Sequence, residues 1–196
     1  MHNMLTRTED PRVKRTRQLL MQAFMELLEQ KKNVSSISVQ DITAYATVNR
    51  STFYAHFEDK FAFLESWMRE KFKEKLQDEL PNAALSDIGS LRTLILIVYD
   101  FLFCTRPYLT LSDRQYEPLF QVAMQKELYD LLLTWLSEQA EPTVSRETVE
   151  TAALIASWGI FGSAVEWSRH PQSKSAEDMA RDVLVVVAAG LAPVLG

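Results

Sequence analysis

The sequence predicts an all-α protein, in which a three-helix N-terminal domain is joined to a larger C-terminal helical domain. Hydrophobic residues make up 47% of the chain and charged residues 24%, which is typical of soluble globular proteins. Only 5 Gly and 7 Pro interrupt the 196 residues, and this scarcity favours long helices over a fold with many turns. Apolar residues recur with a helical period along most of the chain, and no internal repeat or strand pair is evident.

Composition excludes several classes of protein. The single cysteine, Cys104, excludes an internal disulfide framework and a Cys-rich zinc site, and it is compatible with a reducing cytoplasm. The N-terminus lacks the apolar segment of a signal peptide. The longest apolar runs, 94–98 and 183–191, are too short or too interrupted to span a bilayer. We therefore expect a cytoplasmic protein with no membrane partner, no metal and no cofactor.

Charge is distributed unevenly along the chain. The net charge is −5, but residues 1–75 hold 13 basic against 10 acidic residues, and residues 76–196 hold 8 against 16. Four basic side chains lie within six residues: Arg12, Lys14, Arg15 and Arg17. A mildly basic N-terminal third on an acidic remainder indicates a modular protein with one face directed at a polyanion.

The first helix is predicted over residues 11–30. Its apolar positions fall at i, i+1, i+4, i+5, i+8 and i+9, which places one stripe on one face: Leu19, Leu20, Ala23, Phe24, Leu27 and Leu28. Pro11 suits its first turn, whereas residues 1–10 are polar and aperiodic, and residues 31–36 indicate a loop. Ser38 then occupies the position of an N-cap, with Asp41 three residues later as in a capping box.

Two short helices follow, at roughly 39–46 and 50–56, joined by a tight turn. Five apolar side chains of this segment can pack inward: Ile42, Ala46, Val48, Phe53 and Phe57. Six polar side chains then face outward: Asn49, Arg50, Ser51, Thr52, Tyr54 and His56. Because that face carries donors and acceptors suited to base edges and phosphates, we interpret the segment as a DNA-binding helix-turn-helix.

A longer helix over about 59–80 comes next and ends before Pro81, since a residue that precedes proline is disfavoured in a helix. The remaining periodicity predicts a short helical turn near 107–112 and four further helices, at about 87–104, 114–139, 145–169 and 175–192. Pro118 suits the first turn of its helix. Ser175 suits an N-cap, because acidic residues follow it in the first turn.

The segment from about Val13 to Lys71 resembles the DNA-binding domain of tetracycline-repressor-type (TetR family) transcriptional regulators. The matching residues are Arg17, the string Ser38-Val-Gln-Asp-Ile42, the string Val48-Asn-Arg-Ser-Thr-Phe-Tyr54, His56-Phe57 and Asp59-Lys60. This spacing of aromatic and polar positions is specific, and the resemblance covers about 60 of the 196 residues. It implies a helix-turn-helix DNA-binding domain at 9–70 and a helical effector-binding and dimerisation domain at 71–196.

Two positions depart from the family pattern. Thr43 and Thr47 stand where the family usually has Ala and Gly. Gly is favoured in such a turn because it tolerates positive φ, whereas a β-branched Thr is strained there by about 1 kcal/mol or more. We therefore expect either a different local turn or a strained Thr47.

The resemblance and the side-chain types together imply roles in DNA binding. Arg50 would pair with guanine and Asn49 with adenine, beside Ser51 and Thr52, and each good pair supplies about 1–3 kcal/mol of discrimination. Phosphate contacts are implied for a second group: Ser38, Tyr54, His56, Lys60, Arg12, Lys14 and Arg17. Local packing remains the alternative for Tyr54 and His56, and simple solvation remains the alternative for the basic cluster.

The C-terminal domain is rich in aromatic side chains. Most must be core, but aromatic residues mixed with a few polar groups also line small-molecule sites. The candidates for an effector site are Phe101, Cys104, Tyr108, Phe120, Gln121, Met124, Trp158 and Phe161. The expected effector is a small apolar or aromatic molecule, whose identity the sequence does not give.

Small residues mark one face of the helix near 145–169, and they permit close approach of another helix. The family resemblance implies a homodimer through this helix and the one near 175–192, which would read a palindromic double-stranded operator. Packing within one chain is the alternative for these small residues.

The leading hypothesis is a homodimeric repressor that a small-molecule effector releases from its operator. A regulator that acts as an activator and a helical adaptor that binds protein through the N-terminal module are the alternatives. An enzyme is not expected, because the sequence has no phosphate-binding Gly loop, nucleophile elbow or metal-spaced ligand set, and its histidines are His2, His56 and His170.

Overall fold

The computed structural model describes residues 11–80, 85–108, 117–171 and 173–195, and these residues form helices without any strand. Within them, eight α-helices follow one another: α1 Pro11–Lys31, α2 Val39–Tyr45, α3 Arg50–His56, α4 Lys60–Glu79, α5 Ile88–Thr105, α6 Glu117–Gln139, α7 Arg146–Arg169 and α8 Ala176–Leu195. A 3₁₀ turn at Arg106–Tyr108 directly follows α5. The all-α prediction is confirmed.

Six of the eight helices begin and end within one residue of their predicted bounds. The exception at a described boundary is α8, which continues to Leu195 through Pro193. A proline in the last turn of a helix removes only one backbone hydrogen bond, so the helix continues past the predicted end at 192. The predicted start of α6 at 114 and the last residues of the turn predicted at 107–112 lie outside the described residues.

The chain divides into two compact units, and the division falls inside α4, between Leu64 and Glu65. The first unit contains residues 11–64 together with Tyr108. The second contains the rest of α4, α5 and the helices from α6 to α8.

The first unit is built around an aromatic cluster of Phe24, Phe53, Phe57 and Phe63, whose neighbouring ring centroids lie 5.0 to 5.5 Å apart. These side chains come from α1, from α3 and its C-cap, and from α4, so the cluster fixes three helices against one another. Aromatic pairs of this geometry contribute about 0.5–1.5 kcal/mol each beyond the burial of their area. The prediction that Phe53 and Phe57 are core residues is confirmed, because they are 0% and 4% exposed.

The turn of the helix-turn-helix is strained, as the departure from the family pattern predicts. Thr47 has a φ of 54°, which lies in the left-handed region that favours glycine. The Val48 N–H donates to the Thr43 carbonyl oxygen at 3.0 Å and closes the turn. Thr43 is itself buried, and its hydroxyl donates to the Val39 carbonyl oxygen at 3.0 Å.

In the second unit, α5, α6, α7 and α8 pack around a common apolar core. Phe72 on α4 contacts Phe101 on α5, with ring centroids 5.2 Å apart. Glu127 on α6 adds a polar tie, because its two carboxylate oxygens each lie 3.1 Å from a basic nitrogen of α4, in Arg69 and Lys73. The Glu127 side chain is only 12% exposed, so this pairing is largely shielded from solvent.

Two apolar helices, α5 with the turn that follows it and α7, are long and apolar enough to cross a membrane by length and composition alone. Their most apolar stretches have mean hydropathies of 1.6 and 1.3 and are 44% and 39% buried inside the chain. The core helices of a helical bundle have a similar composition, because they bury apolar side chains. The packing of α5 and α7 therefore accounts for part of their apolar character.

Candidate nucleic-acid interface

The outer face of α3 carries the polar side chains that the sequence places there. Asn49, Arg50, Ser51 and Tyr54 are exposed, whereas Thr52 and His56 are half-buried. The opposite face of the same helix is held by Phe53, which is completely buried in the aromatic cluster. The cluster therefore fixes the direction in which this polar face points from the first unit.

Asn49 stands at the N-cap position of α3, but its side chain makes no capping hydrogen bond. Asn is a preferred N-cap because its side-chain oxygen normally accepts from an N–H of the first turn. The exposed amide of Asn49 is not used in this way, so its oxygen and its NH₂ group remain available for the edge of a base.

Arg50 and Tyr54 form a pair one helical turn apart on this face. Arg50 Nη2 donates to the Tyr54 hydroxyl oxygen at 3.4 Å, and the Arg50 guanidinium carbon lies 5.8 Å from the centre of the Tyr54 ring. Because the Tyr54 hydroxyl accepts this bond, its own proton stays available to a phosphate oxygen.

Ser38 is occupied in capping α2. Its backbone N–H and its hydroxyl both donate to Asp41 Oδ2 at 2.8 Å, and the hydroxyl accepts from the Asp41 N–H. Lys31 Nζ lies 3.1 Å from the same carboxylate oxygen. The Ser38 backbone N–H, the Ser38 hydroxyl and Lys31, in that order, lower the pKa of Asp41 to about 2. To contact a phosphate as predicted, the Ser38 hydroxyl must therefore give up its hydrogen bond to Asp41 and turn its proton toward the phosphate.

Two basic residues with predicted phosphate roles also have contacts inside the first unit. Lys60 is half-buried, and its Nζ donates to the Val34 carbonyl oxygen at 3.0 Å. The guanidinium carbon of Arg17 lies 4.9 Å from the centre of the Phe57 ring, which is the geometry of a cation–π contact. Arg12 and Lys14 are exposed on the first turn of α1.

The eight candidate effector residues do not form one group. Phe101, Met124 and Phe161 are buried in the second unit, where Gln121 is half-buried and Cys104 is exposed. Tyr108 belongs to the first unit, and its carbonyl oxygen accepts from the Val34 N–H at 3.4 Å. Trp158 is 50% exposed on α7. The side chain of the remaining candidate, Phe120, lies outside the described residues.

Three polar groups in the second unit were missed by the sequence reasoning. Gln125 donates to the Ser157 hydroxyl at 3.0 Å, and Arg106 donates to the Ser168 hydroxyl at 3.4 Å. The third group, the hydroxyl of Tyr99, has no well-formed hydrogen bond among the described residues, and its residue is fully buried. The contacts of Gln125 and Arg106 could not be predicted from the sequence, because each partner lies on α7, far along the chain.

Burial raises the pKa of the Tyr99 phenol, and the neighbouring Ser163 hydroxyl offsets part of that rise. The Ser163 proton is itself donated to the Ile160 carbonyl oxygen at 2.9 Å. The Tyr99 ring lies against Trp167, with centroids 5.3 Å apart. A buried hydroxyl in this situation is a group that a water or a ligand normally satisfies.

Apolar side chains are exposed on both α7 and α8. Ile155 and Trp158 are 66% and 50% exposed on α7, and Val185 and Val186 are 65% and 73% exposed on α8. Two glycines, Gly162 and Gly190, lie on the same helices. A Cβ added at either would have no described atom within 4 Å beyond its chain neighbours and the nearby backbone of its own helix. Exposed apolar surface of this extent is typical of an interaction site.

No protein-family model matches the chain. Over 65 residues it is 35% identical to the uncharacterized HTH-type transcriptional regulator YxbF of Bacillus subtilis (strain 168). This match spans 33% of the chain but only 17% of that relative.

Many solved structures are similar over most of the chain, among them the following two. One is the TetR-family transcriptional repressor FadR of Thermus thermophilus in complex with lauroyl-CoA, with a TM-score of 0.61, 19% identity, and coverage of 89% of this chain and 94% of that one. The other is the dihydroxyacetone kinase operon activator DhaS, with a TM-score of 0.57, 19% identity, and coverage of 92% and 98%. Each of these three proteins is named as a regulator of transcription. The chain has the fold of the TetR-type regulators, as the sequence predicts.

Proposed function

We propose that this chain is a TetR-family regulator that binds DNA in a sequence-specific manner, with α3 as its recognition helix. The observation that carries the proposal is the outer face of α3, where Asn49, Arg50 and Tyr54 are exposed in front of the fully buried Phe53. The Arg50 guanidinium has donors for the two major-groove acceptors of guanine, and the Asn49 amide has a donor and an acceptor that complement the edge of adenine. The similarity of a 65-residue part of the chain to a named HTH-type regulator supports this role.

The phosphate contacts come from the side chains around this face. Tyr54 and His56 on α3, and Ser38 before α2, would donate to phosphate oxygens. Lys60, whose Nζ donates to the Val34 carbonyl oxygen, would add its positive charge at the start of α4. The basic side chains of α1, Arg12, Lys14 and Arg17, would add positive charge close to the backbone.

The protein acts as a homodimer through α7 and α8. The exposed apolar side chains of these helices would be buried against the same face of a second copy, and Gly162 and Gly190 would permit close approach. A two-fold axis gives two recognition helices, which read palindromic half-sites about 34–36 Å apart.

A small effector bound in the second unit releases the protein from its operator, so that the regulator is a repressor. The solved complex of T. thermophilus FadR with lauroyl-CoA supports an apolar effector for this fold. Phe101, Met124 and Phe161 would supply the apolar lining, and the unsatisfied hydroxyl of Tyr99 would supply a polar anchor. Effector and operator then weaken each other's binding by the same factor.

The DNA-binding proposal is tested by selecting an operator from a random double-stranded library with the full chain, then measuring affinity by fluorescence anisotropy. Arg50→Ala is expected to remove preference at one base pair, at a cost of about 1–3 kcal/mol. Lys60→Ala is expected to weaken binding to all sequences and to reduce the slope of log affinity against log salt concentration by about one. Gln77→Ala, an exposed change on the second-unit part of α4, is the control. Failure to enrich any sequence, or unchanged binding in both variants, contradicts the proposal.

Activation is the second candidate, because the similar protein DhaS is named an operon activator. A reporter gene controlled by the selected operator separates the two. Reporter output that rises when the regulator is deleted identifies a repressor, and output that falls identifies an activator. The adaptor alternative predicts that no DNA sequence is enriched at all.

A further inference from the structure

We propose that Tyr54 is a positioning residue for sequence recognition, which holds the Arg50 guanidinium in the orientation that reads a base. The inference rests on the proposed DNA-binding function and adds to the phosphate contact expected of Tyr54. It makes Tyr54 a determinant of specificity through Arg50, in addition to affinity.

Two contacts from one side chain restrain Arg50. The Tyr54 hydroxyl oxygen accepts from Arg50 Nη2 at 3.4 Å, and the Tyr54 ring lies 5.8 Å from the guanidinium carbon. A free arginine side chain loses about 2 kcal/mol of rotamer entropy when it is fixed. Contacts that already restrict Arg50 before DNA binds reduce this loss, and they favour the orientation that they hold.

Tyr54 is in turn fixed from behind. Its ring lies edge-to-face against Phe53, with centroids 5.4 Å apart and an interplanar angle of 82°. Phe53 is 0% exposed and contacts Phe57 and Phe63 in the aromatic cluster. A continuous series of contacts therefore connects the core of the first unit to the guanidinium of Arg50.

The hydroxyl of Tyr54 can serve the base contact and the phosphate contact together. It accepts from Arg50 with a lone pair and keeps its own proton for a phosphate oxygen. A bidentate arginine–guanine pair depends on the plane of the guanidinium, so a fixed plane increases discrimination more than it increases overall affinity. A tyrosine that only contacts phosphate would add affinity equally for every sequence.

The test compares two DNA duplexes. One is the operator selected by the full chain, and the other is the same operator with a substitution at the base pair for which Arg50→Ala loses its preference. The ratio of their dissociation constants is the discrimination ratio. Tyr54→Ala and Tyr54→Leu are expected to lower this ratio about threefold to tenfold, as the loss of a cation–π contact and a weak charged hydrogen bond implies. Tyr54→Phe keeps the ring, so it is expected to retain most of the discrimination ratio while weakening binding to both duplexes by the same factor.

A double-mutant cycle supplies the decisive comparison. In the Arg50→Ala background, Tyr54→Ala is expected to leave the discrimination ratio unchanged, because the residue it positions is gone. Tyr45→Ala is the matched control. Tyr45 is a tyrosine of the same unit that is 44% exposed against 47% for Tyr54, and its hydroxyl lies 2.6 Å from a Glu26 carboxylate oxygen. Circular dichroism of each variant establishes that it is folded.

The inference is overturned if all three Tyr54 variants weaken binding to both duplexes by the same factor. It is also overturned if Tyr54→Ala lowers the discrimination ratio equally in the presence and in the absence of the Arg50 side chain. In either case an operator has still been selected, so the proposed DNA-binding function survives. Failure to select any operator overturns the proposed function and the inference with it.

Discussion

At the residue scale, the helix-turn-helix contains one strained position, in its turn, and one strongly stabilised position, at the start of α2. Thr47 holds a left-handed backbone that a β-branched side chain disfavours. At the start of α2, Ser38 and Asp41 satisfy each other's hydrogen bonds in a capping box. Both features belong to the helix-turn-helix, so each is expected to affect the stability of the first unit directly.

Replacing Thr47 with glycine is expected to stabilise the protein by about 1 kcal/mol, because glycine adopts positive φ without steric strain. The free energy of unfolding in urea, followed by circular dichroism, measures the change. Ala44→Gly is the matched control, since the same glycine in the regular helix α2 is expected to destabilise by about 1 kcal/mol. A Thr47→Gly protein that is less stable than the parent would contradict the interpretation that Thr47 is strained.

Asp41→Asn is expected to destabilise the protein at pH 5 and to do so progressively less as the pH falls. The folded-state pKa of Asp41, about 2, lies below its ordinary value of 3.8. The stabilisation is therefore fully present above pH 3.8 and is lost as the pH falls toward 2. Urea unfolding of both proteins at pH 5 and pH 3 gives the two differences to compare, and a difference independent of pH would show that the carboxylate charge is not involved.

At the element scale, periodicity was sufficient to predict the helices but not to predict which residues they bring together. A stripe repeating at 3.6 residues and a few caps and prolines locate a helix within about one residue in most cases. Phe161 and Trp158 were predicted for one site on the same helix, yet Phe161 is 2% exposed and Trp158 is 50% exposed. Both faces of α7 are apolar, so hydrophobicity alone does not separate its core face from its exposed face.

The recognition face was more predictable, because the polar and apolar positions of α3 alternate clearly and Phe53 fixes the inward side. The contacts of Arg17 and Lys60 within the first unit could not be predicted in the same way. Their partners, the Phe57 ring and the Val34 carbonyl oxygen, lie 40 and 26 positions away in the sequence. Contacts of this kind follow from tertiary packing, for which one sequence carries no local signal.

The tie between α4 and α6 leads to a prediction for the second unit. Glu127→Ala would leave Arg69 and Lys73 without their shared, largely buried carboxylate, so we expect destabilisation by about 2 kcal/mol. Glu150→Ala is the control, because its partner Arg146 is 89% exposed and such a surface pair contributes less than about 1 kcal/mol. The free energies of unfolding of the two variants in urea are compared. Equal losses would mean that the burial of Glu127 adds nothing to the stabilisation by its ion pairs.

At the scale of the whole molecule, the proposed function requires two copies of the chain. One recognition helix makes few base contacts, whereas two related by a two-fold axis read both halves of a palindrome and multiply their discrimination. Two glycines of α7 and α8 support this assembly, since a helical glycine costs about 1 kcal/mol relative to alanine. Among the described residues, no side chain lies within 4 Å of a Cβ built at Gly162 or Gly190, apart from those of their chain neighbours. The two glycines therefore reduce helix stability without improving packing within the described part of the chain, and this is consistent with close packing against a second copy.

Val186→Glu is expected to convert the homodimer to a monomer. Val186 is 73% exposed on α8, so the charge is harmless in an isolated chain, but a second copy would bury it without a partner. We expect the dimer dissociation constant to rise about a hundredfold or more, the equivalent of about 3 kcal/mol. Light scattering after size-exclusion chromatography measures the oligomeric state, and anisotropy measures binding to the palindromic operator and to a single half-site.

Ile88→Glu, at a side chain that is 45% exposed on α5, introduces the same charge outside α7 and α8 and is expected to leave the dimer intact. Loss of the dimer should weaken binding to the palindrome far more than binding to the half-site, because each monomer keeps its recognition helix but no longer benefits from the second. A Val186→Glu protein that remains dimeric would place the interface elsewhere. A monomer that binds both duplexes as the parent does would instead separate dimerisation from operator recognition.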